Sequence, residues 1–255
     1  MTVTRNDLES YLNELLVPEN FSDYGPNGLQ IEGQETIDKI AFAVSASADS
    51  IVEAVEQEAQ ALIVHHGLFW YFHGSRTLTG PFARRVVPLV RNNVSLFGYH
   101  LPLDGHPEIG NAAMLGKLIG VESQKPFGDY KGSPTGIQGR MSYSLPAVEL
   151  QQRLAGVLNH DVILATPDKH ARVETVGIIT GGANSEWWQA AQAGLDAYIT
   201  GEISEHDWHE SREAGIHMFA GGHHATEQFG IQALKTKIEK DLDVACFYIP
   251  SENPA

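Results

Sequence analysis

The chain has 255 residues, 32 of them acidic and 17 basic, for a formal net charge of −15. That length allows one large domain or two small ones, and 42% hydrophobic with 19% charged residues is a globular rather than a disordered composition. The negative charge argues against general binding to nucleic acid or anionic membranes. No run reaches the roughly 18–20 apolar residues that span a bilayer, and the N-terminus lacks a signal core, so a cytoplasmic protein is expected. A single cysteine, Cys246, excludes a disulfide framework and a thiolate zinc cluster. With twelve histidines beside it, any bound metal is expected to be held by nitrogen and oxygen.

Leu8, Tyr11, Leu12, Leu15 and Leu16 follow helical spacing, with Thr4 and Asp7 as a capping pair. The stretch SDYGPNGLQIEG reads as a loop. From Ile37 onward, strands and helices alternate. Strand Ile40–Val44, helix Ala48–Ala59 and strand Ala61–Val64 precede a helix over 82–92, strand Val94–Tyr99 and a helix near 111–118. The polar, Gly/Pro-rich segment 122–135 is the expected boundary between a first half, 1–125, and a second, 126–255. After it come helix 146–157, strand 174–180, helix 185–194, strand 197–200, helix 204–214, strand 216–220, helix 226–240 and strand 244–249. This alternation predicts an α/β architecture with parallel pairing.

The two halves read as copies. KIAFAVSASADSIVEAVEQEAQALIVHHG, from Lys39, aligns without gaps at an offset of 136 with TVGIITGGANSEWWQAAQAGLDAYITGEI, from Thr175. His65 and His66 then fall on Gly201 and Glu202. Phe97–His100–Asp104 resembles Phe219–His223–Glu227, although at a different offset. The fold class expected is therefore two similar α/β halves related by internal duplication, with a metal site at the strand carboxyl ends between them, where open α/β sheets bind ligands.

Four clusters sit at those ends. In ALIVHHGLFW an apolar strand runs into His65 and His66, whose rings can share a centre once the chain turns at Gly67; the bland alternative is one buried and one solvated histidine. GYHLPLDGHPEIGN carries His100, Asp104 and His106, with Asp104 also readable as a turn or capping residue. FAGGHHATEQFG places His223 and Glu227 four apart, on one helix face, although acid is favoured at a helix start anyway. YITGEISEHDWHE offers Glu202, His206 and His209, at least one of which belongs to a solvated face. TGGANS, residues 180–185, is a weak anion-site signal, and Arg76 and Arg84 read as solubilising residues before anion contacts.

VHHGLFW, YHLPLDGHPEIGN, ITGE and AGGHHATEQFGIQAL, in that order, resemble the YbgI-like dinuclear metal-centre proteins, also called GTP cyclohydrolase 1 type 2 homologues. The resemblance covers essentially the whole chain. It implies two divalent ions per subunit (iron, manganese, zinc, cobalt or nickel) held by His65, His66, Asp104, His223 and a bridging Glu227. It assigns His100 and Glu202 to supporting or acid/base roles, and implies a toroidal homohexamer of the compact type, without an inserted domain. His209 fits the family's pattern; His206 does not and is read as a surface residue.

A paired centre of this kind suits a hydrolase acting on a nucleotide, purine ring or phosphoester, with His100 and Glu202 as proton carriers. The alternative is a non-catalytic metal-binding or metal-sensing oligomer. Trp70 and Tyr71 would be substrate platforms in the first case, while the Trp187–Trp188 pair suits core or subunit contacts.

Overall fold

In the computed structural model, which describes residues 2–255, the first helix starts where its cap places it. Strand β1 (Val3–Thr4) leads into α1 (Arg5–Leu16), and the Thr4 side chain accepts the Asp7 backbone N–H at 3.1 Å. Leu8, Leu12 and Leu16 bury the predicted stripe. The chain continues through β2 (Gly28–Ile31), β3 (Thr36–Ile37), β4 (Lys39–Ser45), α2 (Ala48–Glu56), β5 (Ala61–His66), α3 (Gly80–Arg91) and β6 (Ser95–Gly98). The short α4 (Leu101–Asp104) and α5 (Asn111–Ile119) follow. Next come β7 (Val121–Tyr130), β8 (Ser133–Pro146), α6 (Ala147–Leu158), β9 (Ile163–Ala165), β10 (Arg172–Ile178), α7 (Trp187–Gln192), β11 (Ala197–Thr200) and α8 (Glu205–Glu213). Strand β12 (His217–Ala220), α9 (His223–Thr226), α10 (Gln228–Leu242) and β13 (Ala245–Tyr248) complete it. No helix among the described residues is long and apolar enough to cross a membrane.

Two compact units result. Unit 1 runs to Leu103 and takes back Ile231–Glu252; unit 2 is Asp104–Gly230 with Asn253–Ala255. The chain thus changes unit at 103/104 and 230/231, whereas the sequence suggested a division near 125/126, and Asp104 falls in unit 2. The polar segment 122–135 is not a linker: it forms β7 and the start of β8, an antiparallel pair. Pro126 is tolerated there because β7 is an edge strand, where one missing donor costs little.

The sheet of unit 1 has the order β13-β4-β5-β6-β2, with β13, β4, β5 and β6 parallel and β2 antiparallel at the edge. Ile51 and Ala54 of α2 and Phe82 and Leu89 of α3 join Ala41, Ala43, Leu62 and Val64 in its core. The central strands are continuous apolar runs because both faces are covered.

The sheet of unit 2 has the order β7-β8-β10-β11-β12-β9, in which β10, β11 and β12 are parallel. Leu150, Leu154 and Leu158 of α6 pack with Val176, Ile178, Ile199 and Phe219, while Tyr198 and Met218 serve a second cluster. Asp196 ties β10 to the loop before β11 by accepting the N–H groups of Glu174 and Thr175 and the Thr175 hydroxyl, all at 2.8–2.9 Å. Asp196→Ala is expected to cost about 1–2 kcal/mol, read as a lowered midpoint in urea unfolding.

The units share their strand pattern. Phe42 pairs with Ile63 and Ile178 with Ile199; Ile63 pairs with Phe97 and Ile199 with Phe219. Even the antiparallel edges agree, Leu29 facing Phe97 and Leu164 facing Phe219. This strand-by-strand agreement supports, as a proposal, descent of both from one α/β unit.

Candidate metal centre

In unit 1, β5 ends in His65 and His66, and His100 follows β6 by two residues. One ring nitrogen from each of the three lies within 4.8 Å of the others. The apolar run of β5 is buried to its end, so His65 is fully buried while His66 is half-buried. The Nδ1–H of His65 donates to the Tyr99 carbonyl at 3.1 Å, which fixes the tautomer with its lone pair on Nε2. His66 Nδ1 is 3.0 Å from the Ser45 hydroxyl. His100 Nδ1–H donates to Asp23 at 2.7 Å. Asp23 also accepts from the Asn27 amide and the Leu101 N–H, both at 2.9 Å. Burial works against ionisation of Asp23, but hydrogen bonds from His100 and Asn27 outweigh it and hold its carboxyl below the usual range.

In unit 2, the corresponding strand ends carry carboxylates. Glu202 follows β11 and His223 follows β12. Glu202 accepts the His223 Nδ1–H at 2.5 Å, while His223 Nε2 lies 3.2 Å from Glu227. Carboxylate oxygens of Asp104 and Glu227 approach within 4.8 Å. Asp104 is pinned by the Asn111 amide at 2.8 Å and the Thr180 hydroxyl at 3.3 Å. The glycines of the 180–185 loop make room. An added Cβ at Gly181 would sit 2.0 Å from Glu227 Oε1, and Gly181 has φ +69°. Thr226 accepts the Gly181 N–H at 3.1 Å, which seats this loop beside the ligand turn.

Burial disfavours a charged His223, but Glu227 and then Glu202 outweigh it and raise its pKa to about 9. In chelator-treated protein the stabilisation from this cation is complete below the ordinary 6.5 and lost as pH rises through 9. Glu202→Gln is expected to bring the His223 titration down toward neutrality, followed by NMR of the ring protons.

The donor chemistry fits a divalent cation. Asp104 is 6% and Glu227 2% exposed, and two buried carboxylates this close need more positive charge than one imidazolium supplies. The imidazole pattern fits too, because ligating histidines donate their second N–H to a carbonyl or carboxylate. His65 does so to Tyr99 and His223 to Glu202. The residues absent from the sequence reading are those supports: Asp23, Ser45, Asn111 and Thr180, while Thr226 is legible there only as a residue of the helix start. Asp23 stood in a stretch read only as a loop, and Asn111 closed a motif already noted. His206 and His209 are exposed on α8, beside Asp207 and Glu205. His106 Nδ1 accepts the Glu108 and Ile109 N–H groups of its own turn. Trp187 donates to Asp207 at 3.2 Å, a structural contact.

The model of Duf34/NIF3 (NGG1p interacting factor 3) matches residues 3–254. The "GTP cyclohydrolase 1 type 2 homolog" of Pasteurella multocida is 41% identical over 249 residues, covering 98% of each chain. A solved structure described as protein ybgI, unknown function, superposes with a TM-score of 0.91 at 39% identity, covering 99% of this chain and all of that one. TTHA1606 from Thermus thermophilus gives 0.90 at 28% identity, with the same coverage.

Proposed function

The chain belongs to the Duf34/NIF3 family, and on that premise we propose that it is a hydrolase dependent on two divalent metal ions. The ligands proposed, on the family resemblance, are His65, His66, Asp104, His223 and Glu227. The observation that carries the reading is the orientation of the imidazoles: His65 and His223 spend Nδ1–H on a carbonyl and a carboxylate, the arrangement that readies Nε2 for a metal.

The ions would supply a Lewis acid and a nucleophilic water near neutral pH. The chain's own groups do the rest. Asp23 holds the proton on His100 Nδ1, which leaves the ring's lone pair on Nε2. Glu202 holds the proton on His223 Nδ1 and, being about half exposed, can pass a proton to a leaving group. The substrate class proposed is a nucleotide, purine ring or phosphoester. A homohexamer is proposed on the family resemblance alone.

Elemental analysis of protein purified without chelator tests the ligand set; two equivalents of divalent metal per chain are expected. Less than about a tenth of an equivalent, with no uptake on reconstitution, would sink the proposal. Glu202→Gln is then expected to retain both metals and lose hydrolysis of nucleotides and phosphoesters. Full metal content without turnover on either class would leave a metal-binding protein instead of a hydrolase.

A further inference from the structure

Residues 59–103 contain no aspartate or glutamate but carry Arg76, Arg84, Arg85 and Arg91. The remainder holds 13 basic against 32 acidic residues, a net of −19, so one stretch of unit 1 is positive in a strongly negative chain. Within it, residues 71–80 are exposed without interruption. Tyr71 is 70% and Phe72 69% exposed, which is unusual for two large rings in succession.

These groups form a connected strip beginning at the imidazole cluster. The Trp70 ring meets His100 edge-on, with centroids 5.0 Å apart, and stacks on Phe72 at 5.6 Å with an interplanar angle of 19°. Phe72 packs against His73 at 4.7 Å, and Arg76 donates to His73 Nδ1 at 3.2 Å. The Arg76 guanidinium is steadied over the Phe82 ring, 4.1 Å from its centroid. A cleft lined by Trp70, Phe69, Asn27, His65 and His100 opens beside the strip.

We infer that Trp70, Phe72 and Arg76 form a recognition site for a planar aromatic ligand bearing a phosphate, of the nucleoside monophosphate class. The ring stacks on the Trp70–Phe72 pair and the phosphate is taken by the Arg76 fork, which suits phosphate geometry better than a lysine would. Stacking tolerates any flat heterocycle, while the arginines of a stretch that carries no acid of its own attract the anion. The inference names a substrate class for the hydrolase reading and rests on that reading only for the ligand's being a substrate.

The test is calorimetric titration of the full chain, with and without chelator, using adenosine 5′-monophosphate, adenosine and ribose 5-phosphate. The monophosphate is expected to bind at least ten-fold tighter than either fragment, in metal-free protein as well. Phe72→Ala and Arg76→Ala are each expected to weaken it about ten-fold, with metal content and circular dichroism unchanged. Equal binding by both variants overturns the inference, as does binding that vanishes on chelation, which would place the phosphate at the metal. A changed sedimentation coefficient in Arg76→Ala with unaltered nucleotide affinity overturns it in favour of a contact with a second copy. Tighter binding of a single-stranded oligonucleotide than of the mononucleotide overturns the stated ligand class. Arg76-dependent binding in protein that takes up no metal upholds the site and defeats the hydrolase reading alone.

Discussion

Replacing Glu227 by glutamine is expected to remove at least one metal equivalent per chain and weaken metal binding by at least about a hundred-fold. The side chain is 2% exposed and lies 3.2 Å from His223 Nε2, with a carboxylate oxygen within 4.8 Å of one from Asp104. Glutamine keeps its size, so no cavity opens and the surrounding turn stays packed. What changes is charge: the neutral amide is a poor ligand and cannot bridge two ions. The chelator-treated variant should melt close to the chelator-treated parent, because loss of one ion pair is offset by relief of the repulsion from Asp104. Elemental analysis and thermal melts of the two proteins check this. Full metal occupancy in the variant would strike Glu227 from the ligand set.

Gly181→Ala is expected to damage both stability and metal binding. At φ +69° an alanine is strained, and its Cβ would stand 2.0 Å from Glu227 Oε1 and 3.2 Å from His223 Nε2. The clash falls on the end of a side chain, so relief comes from swinging the Glu227 carboxylate away. That carboxylate is buried, however, and its displacement disturbs the place of both ligands. A loss of about 2 kcal/mol in denaturant unfolding of the metal-free protein is expected, together with weakened metal uptake. Gly182→Ala serves as a control: its Cβ would approach nothing closer than 3.4 Å. Wild-type metal affinity in Gly181→Ala would mean that the close approach of this loop does not shape the ligand turn.

The alternation of strands and helices was legible because burial on both faces demands continuous apolar runs such as Ile40–Val44 and Ala61–Val64. The offset of 136 between the two similar segments was legible for the same reason, and it pairs the same strand positions in both sheets. The β7–β8 pair was not. Its polar, glycine-rich and proline-containing sequence lies at a sheet edge, where one face meets water and local propensity is overridden by hydrogen bonding to β10. Strands β2 and β9 escaped notice as well, each being short and held only by an antiparallel neighbour.

By itself, the sequence determined the chemistry available: imidazoles and carboxylates at strand ends, without thiolate beyond Cys246. Those residue types follow from motif and strand pattern, which are local. Only the tertiary structure decided how each group is held. Asp23 reaches His100 across 77 residues, and Thr180 reaches Asp104 across 76. Such supports carry no signature of their own, since an aspartate in a loop or a threonine after a strand has many uses. The exchange of units at 103/104 and 230/231, with β13 returning to pair with β4, was hidden for the same reason. Strand pairing over long separations depends on which edge is left open when the rest has folded, and a linear pattern does not record that.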